Sequence, residues 1–470
     1  MATRIETVRE SSRVRVGTAA SGSLFRVVWR WHFYAGLIIA PVLMTVATTG
    51  AIYIFKPDVV RLFRPSLAGD GRSGTTLDLG ARLAAAEAEV SASHSGFRSV
   101  VLEIPAGGDR PTSVLFEPAD RPGKGRARTL RAYVDPRDGK VLGVVDSESD
   151  AVEGFFDEVL KLHRQLWIGT TGRVVVELTT CWTIVLLATG LYLWWPRRRE
   201  KVRGVWAPRW GAKLYTVLRD LHAVSGAYLL PIAMVIAATG LWYTVAMGLN
   251  GRKAAANWER GRSIFSTDWP PDDPPQVASK GEPRPGGGTS LDEAAAVAAR
   301  RYPGKDLLLD LPGRKRRGKA IDGVRVTAVN EEGAPGPYFS AELILDRFDG
   351  AVLSETTFGD SSRVAWWSVW NYPLHVGSVL GLATKLIWLA ACGLLAGLPV
   401  TGIWMWWTRR PKGATGFPRR AEAQLPVWLV GVMVAACVML PAVGASVLVV
   451  LAFEGLARLA GARLAKSTHA

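Results

Sequence analysis

Four histidines at repeated positions carry the chemistry that can be read from this sequence. His32 opens His-Phe-Tyr-Ala-Gly36, with Pro41 and Thr49-Gly50 beyond it; His222 opens His-Ala-Val-Ser-Gly226, with Pro231 and Thr239-Gly240 beyond it. His163 and His375 form a second matched set. Each follows a leucine and leads, 27 residues on, to a glycine (Gly190, Gly402) just ahead of a tryptophan pair, Trp194-Trp195 or Trp406-Trp407. Imidazole ligates iron, copper and zinc. Two imidazoles facing one another across a helix bundle suit the two axial positions of a haem iron. A lone histidine at a helix end is ordinarily an interfacial residue with a satisfied ring nitrogen. Four at repeat-matched places beside or within apolar segments point instead to function, with duplication of a structural histidine as the competing reading. Copper or zinc fits less well, because no acidic or thiol ligand stands near to complete a shell.

The shared spacing marks an internal duplication, and charge places its elements. Trp31 to Phe55 contains no Asp, Glu, Lys or Arg and is long enough to cross about 30 Å of hydrocarbon. Arg26 and Arg30 precede it and put its start in the cytoplasm. The chain then divides into a basic cytoplasmic tail (1–30), a first span (31–56), an outer module (57–160), a second span with its preceding His segment (161–196), a basic loop (197–213), a third span (214–248), a linker and second outer module (249–365), a fourth span with its preceding His segment (366–408), a basic loop (409–424), a C-terminal apolar segment (425–455) and a tail (456–470). The expected fold is a polytopic α-helical membrane protein: a duplicated helix, α+β module, helix unit forming a four-helix core, plus a C-terminal hydrophobic helix. That last tract reads as one helix kinked near Pro441 and Gly444, with a pair of short helices as the alternative.

Within the first module, a helix near Leu77 to Val90 precedes strands at Ser99 to Ile104, Ser113 to Phe116 and Thr129 to Val134, a turn at Asp135 to Gly139 and a return strand at Val141 to Gly143. The second follows a Pro- and Gly-rich linker, Trp269 to Gly288, with a helix at Leu291 to Arg301 and a matching turn at Asp346 to Gly350.

Topology sorts the histidines by depth: His32 and His222 near the cytoplasmic face, His163 and His375 near the outer face. A two-fold axis along the membrane normal sets each pair face to face. Gly36 and Gly226, one turn past their histidines, let a flat macrocycle approach the backbone. Arg173 and Lys385, each ten residues after the outer histidine, are a matched basic pair placed to neutralise haem propionates. Glu177 reads as a local ion pair with Arg173, the tryptophan pairs as interfacial anchors, and the run Arg314 to Lys319 as a solvated loop.

Composition excludes other classes. The net charge is +16 over 470 residues, but much of the Lys and Arg flanks apolar segments, where it sets topology and requires no nucleic acid. The N-terminal tail has no short apolar core and cleavage site, so the first span is expected to stay. Cys181, Cys392 and Cys437 all lie in apolar stretches, which argues against extracellular disulfides and Cys-x-x-Cys metal sites. No Gly-x-Gly-x-x-Gly opens a helix after a strand, so the chain carries no nicotinamide or flavin fingerprint.

The combined motif, from the His-x-x-x-Gly helix through Asp-Pro-Arg-Asp-Gly-Lys-Val-Leu-Gly at 135–143 and Leu-His to Gly-Leu-Tyr-Leu-Trp-Trp-Pro-Arg-Arg at 190–198, resembles the PepSY-associated transmembrane family over roughly Arg26 to Arg410. Asp346 to Gly350 lacks the family's proline, and the fourth span lacks the Pro after its Trp pair. The resemblance implies PepSY modules in the periplasm and ligation of b-type haem at His32, His163, His222 and His375. It also implies kinship with iron-regulated inner-membrane proteins and ferric-siderophore reductases. The expectation is a haem-containing inner-membrane electron-transfer protein with two haems b. His32 and His222 would hold the inner haem, His163 and His375 the outer. Its partners would be the lipid bilayer, a periplasmic ferric siderophore or other ferric chelate as acceptor, and a quinol or flavoprotein as donor. The alternatives are a PepSY-based regulatory or binding membrane protein without redox activity, and an iron-chelate transporter. Against transport, the stretches Trp31 to Phe55, Val174 to Trp195, Leu221 to Met247 and Leu386 to Trp407 hold one formal charge, Glu177.

Overall fold

The computed structural model describes residues 2–67, 69, 74–120, 128–196, 204–263, 266, 277–282, 287–312, 314, 322–331, 334–360, 362–418 and 425–467, with only the helical backbone described for 2–23 and 457–467. The basic cluster 197–203, most of the linker 269–288 and residues 315–319 of the basic run lie outside the described residues.

In the first copy the elements are α1 (Ala2–Tyr53), α2 (Lys56–Phe63), α3 (Leu79–Ser93), β1 (Phe97–Ile104), β2 (Thr112–Pro118), β3 (Leu130–Val134), β4 (Val141–Asp146), α4 (Ala151–Gln165) and α5 (Gly169–Trp194). The second copy has α6 (Leu214–Leu241), a π-helical turn (Val245–Asn250), α7 (Gly251–Glu259), α8 (Leu291–Arg301), β5 (Asp306–Asp310), β6 (Val324–Val329), β7 (Phe339–Leu345), β8 (Val352–Thr357), α9 (Arg363–Val376) and α10 (Leu382–Arg409). After it come α11 (Val427–Met439) and α12 (Pro441–Ser467). These form two compact units, Met1–Ala51 with Lys161–Arg252 and Ile387–Ala470, and Ile52–Leu160 with Lys253–Leu386.

The second unit contains one sheet where two separate modules were expected. Its strand order is β4-β3-β2-β1-β5-β6-β7-β8, antiparallel throughout, and β1 pairs β5 at the centre, with Leu102 opposite Leu309 and Ile104 opposite Leu307. Each half ends in a bare strand edge, and each edge covers the other. Period-2 alternation sends Leu102, Val114, Leu130, Leu309, Val326 and Leu343 to one face, where α3 and α8 close a single core. Both helices are stopped at their N-termini by side chains. Asp78 accepts from Ala81 N at 2.7 Å, and Ser290 with Glu293 makes a reciprocal capping box. The opposite face is polar: Glu103 pairs with Arg131, and Asp310 with Arg314 and Arg325. Glu103, Arg131, Asp310, Arg314 and Tyr338 border a groove of about 330 Å³ there. In the matching turns, Asp135 accepts from Arg137 N and Asp346 from Phe348 N, while Gly139 and Gly350 take φ of +72° and +74°.

Among the described residues four helices are each long and apolar enough to cross a membrane: Leu24–Tyr53 of α1, α5, α6 and α10. Ala47, Leu187, Leu229, Ala233, Ala391 and Leu395, from all four, pack into one cluster. The C-terminal tract differs from a single kinked helix. α11 and α12 meet at a 117° bend. Pro441 supplies no backbone N–H to continue α11, and a Cβ at Gly444 would stand 2.6 Å from the Cys437 carbonyl, so the corner closes only over glycine. The 13 residues of α11 extend about 20 Å, too little to cross alone. The corner instead packs on Cys181 and Leu241, and Trp182 Nε1 donates to Ser446 Oγ at 3.1 Å.

Acid sensitivity follows from one end of the sheet. The Arg128 guanidinium holds the Asp146 carboxyl down at about 2, below its ordinary 3.8, helped by Glu148 N and Ser149 Oγ. A depressed carboxylate stabilises the fold fully above its unfolded value, and that stability is lost as pH falls through the folded value. Thermal unfolding of the full chain in detergent is therefore expected to weaken between about pH 4 and pH 2. Asp146→Asn should start lower and show a shallower acid dependence; an equally steep one would assign the acid loss elsewhere.

Candidate functional site

Three of the four histidines lie in the first unit, and each is held in the same way by the opposite helix of its own copy. His32 Nδ1 lies 2.9 Å from Thr189 Oγ1, with Gly190 against the ring edge. His163 Nδ1 lies 3.1 Å from Thr49 Oγ1 and 3.0 Å from the Val46 carbonyl, with Gly50 against the ring. His222 Nδ1 lies 2.9 Å from Thr401 Oγ1 and 3.1 Å from the Leu398 carbonyl, with Gly402 against the ring. A Cβ at Gly50 or Gly190 would come within 3.2 or 3.3 Å of Cε1 of its histidine, so these glycines let the imidazole lie against the helix. The Thr-Gly dipeptide is thus a seat for a histidine. Thr49-Gly50 was visible in the sequence as an ending repeated at Thr239-Gly240, whereas at 190 and 402 the repeat marks only the glycine, and the function depends on which helix faces which.

The seats decide the tautomer. A carbonyl oxygen can only accept, so Nδ1 of His163 and of His222 carries the proton. At His32 the same result comes from the threonine. Thr189 donates its hydroxyl proton to the Val185 carbonyl at 2.8 Å, leaving its oxygen to accept from Nδ1. Thr49 donates likewise to Thr45 O at 2.7 Å, and Thr401 to Leu398 O at 2.9 Å. Every seated imidazole therefore has its lone pair on Nε2, the arrangement of a metal-ligating histidine whose other nitrogen is tied back. His32 and His222, one from each copy, stand within electrostatic reach of one another. Thr239-Gly240 takes the repeat position that matches Thr49-Gly50, its hydroxyl committed to Val235 O at 2.6 Å.

His375 lies in α9, in the second unit. One turn before it, Asn371 is fully buried, and neither its Oδ1 nor its Nδ2 has a hydrogen-bond partner among the described residues. A buried amide left unpaired costs about 1–3 kcal/mol, and native proteins rarely leave one so. At Gly36 a Cβ would meet nothing within 4 Å, and at Gly226 only Leu398 Cδ2 at 3.9 Å. A flat group therefore has room beside α1 one turn past His32. Among the described residues no group of three His, Cys, Asp or Glu gathers as a metal site. Three imidazoles with Nδ1 tied back and Nε2 left as the donor atom are a donor set of the kind that ligates haem iron.

Arg173 and Lys385 do not share an environment. Arg173 Nη2 donates to the Tyr243 carbonyl at 3.3 Å, whereas Lys385 is buried and its Nζ meets Asp58 Oδ2 at 2.7 Å. Glu177 departs from its expected ion pair with Arg173. Its carboxylate, 2% exposed, accepts from the backbone N–H groups of Val245, Ala246 and Met247 at 2.8–3.0 Å. It thereby caps the π-helical turn after α6, satisfying amides that a span's end leaves open. The sequence suggested the ion pair because Arg173 is one turn away, and nothing local to Glu177 announces the turn at 245. Asp220, two residues before His222, was also missed; it is 1% exposed and held by Arg209 and Arg219. The tryptophans fold the loops back. Trp194 Nε1 donates to Val205 O and Trp406 Nε1 to Thr415 O, while Trp195 and Trp407 stay exposed.

The family described as the PepSY-associated TM region matches residues 29–409, both copies from Trp29 to Arg409. The chain belongs to this family. It is accordingly a membrane protein. No curated protein matches the chain.

Glu177→Ala strands three backbone amides in an apolar setting, at about 1–3 kcal/mol for each buried donor left unsatisfied. Its thermal unfolding in detergent should fall well below that of the wild type, with Glu177→Gln, which keeps one acceptor oxygen, in between. Equal melting of all three would mean that the turn finds other acceptors.

Proposed function

We propose that this PepSY-associated membrane protein is a transmembrane haem b electron carrier that reduces ferric siderophores, or other ferric chelates, on the periplasmic side of the bacterial inner membrane. The observation that carries the reading is the trio of seated imidazoles, each presenting Nε2 with Nδ1 tied back, with His32 and His222 brought within reach across the repeat. His32 and His222 would ligate one haem, and His163 and His375 a second. Gly36 and Gly226 would give the macrocycle its approach. Of the two basic candidates, Arg173 is the better placed to face a propionate, because the charge of Lys385 is already balanced by Asp58. A bound haem supplies a one-electron Fe(III)/Fe(II) couple, which side chains lack.

The remaining work belongs to the chain. The apolar helix cluster surrounds the site, and the threonine seats fix the orientation and tautomer of the imidazoles. Two cofactor positions at two depths answer the need to move electrons across about 30 Å of hydrocarbon closed to soluble carriers. Oxygen-donor chelators hold Fe(III) more strongly than the less charged Fe(II), so reduction favours release. Electrons would enter from a quinol or a flavoprotein.

Purified from haem-replete cells, the protein is expected to show a Soret band, α-bands in reduced-minus-oxidised spectra and two irons per chain. A colourless, correctly folded preparation would overturn the reading in favour of a PepSY-based binding or regulatory role. His32→Ala and His222→Ala should each remove the same haem, and His163→Ala and His375→Ala the other; any other grouping would overturn the cross-repeat pairing.

A further inference from the structure

We infer that Thr49, Thr189 and Thr401 are positioning residues that set the donor strength of the histidine Nε2 atoms, with Thr189 the dominant one. This rests on the haem reading above. A hydrogen bond from Nδ1–H to an acceptor pushes electron density toward Nε2 and makes the imidazole a stronger ligand. Each threonine is suited to the task because its own proton is spent on its helix backbone, at Thr45, Val185 or Leu398. Its oxygen therefore faces the ring as an acceptor only.

The three seats are not equal. His163 and His222 have a second acceptor in the carbonyls of Val46 and Leu398, at 3.0 and 3.1 Å. For His32, Thr189 Oγ1 is the only Nδ1 acceptor among the described residues. Removing the hydroxyl thus strips His32 of its acceptor but leaves the other two with a carbonyl. It follows that the two copies, though duplicated, hold their cytoplasmic-side histidines with different firmness: His32 is tunable through one side chain, and His222 is buffered by backbone.

The test is spectroelectrochemical titration of the full-length holoprotein in detergent, comparing wild type with Thr189→Val, Thr189→Ser, Thr401→Val and Thr49→Val at matched haem content. A weaker axial donor disfavours Fe(III), so Thr189→Val is expected to raise the midpoint potential of one haem, and Thr189→Ser to restore it. Thr401→Val should move that same haem upward by less, and Thr49→Val should move only the other haem, also by less. With both haems present, an unchanged potential in Thr189→Val, or the same shift in Thr189→Ser, overturns the inference and leaves the haem reading intact. If Thr189→Val does not assemble, shifts absent from both Thr401→Val and Thr49→Val overturn it. A wild type without a Soret band defeats the haem reading, and the inference with it.

Discussion

An imidazole packed between apolar helices has two ring nitrogens to satisfy and few polar neighbours to satisfy them. That constraint organises this protein. Each histidine seated in the helical unit finds its acceptor on the other helix of its own copy, so α1 must lie beside α5, and α6 beside α10, in one rotational setting. Glycine after the threonine allows the ring to reach the backbone, and the threonine's own bond to its helix removes any ambiguity about which atom donates. The small residues at these contacts are what close helix packing in lipid calls for, and here they serve the histidines as well. Glu177 obeys the same rule from the acceptor side, collecting three backbone donors that hydrocarbon could not satisfy.

Much of this was legible in the sequence because duplication prints every feature twice. His32 and His222, the paired turns at Asp135 and Asp346, and the helix at Leu291 to Arg301 depend on spacing and period, which are local properties. The seats for the histidines were half legible. Thr49-Gly50 and the glycines at 190 and 402 stood out as repeated features, but Thr189 and Thr401 did not, and the task is a contact between residues more than a hundred positions apart. The seam was illegible for a related reason: alternation in β1 and β5 announces strands with a buried face but says nothing about which edge meets which. Glu177 and Arg173, adjacent on one helix, invited a local pairing that the amides of residues 245–247 displaced. In the C-terminal tract, hydropathy measures apolar length alone, whereas Pro441 and Gly444 set direction.

The copies have drifted where the histidine-bearing helices turn into the spans. After α9 the chain bends through Gly377 and Gly381, both with positive φ. After α4 the corresponding bend passes through Leu166 and Trp167 at φ of 49° and 59°, ahead of Gly169. Side chains in that region cost about 1–3 kcal/mol each, so the first copy carries strain beside His163 that the second avoids with glycine. Asp220 has no acidic counterpart either, since the matching position is Arg30.

The central seam of the sheet bears on ancestry. Antiparallel pairing of equivalent strands, β1 with β5, in the order β4-β3-β2-β1-β5-β6-β7-β8, is the pattern made when two identical subunits associate about a two-fold axis, each lending the same edge. A half-length forebear would have met this geometry as a homodimer. Carrying both halves on one chain makes that pairing independent of concentration, and it frees each half from having to match the other. The asymmetries at Asp220, Leu166 and Trp167 are changes that a symmetric dimer would have had to accept twice.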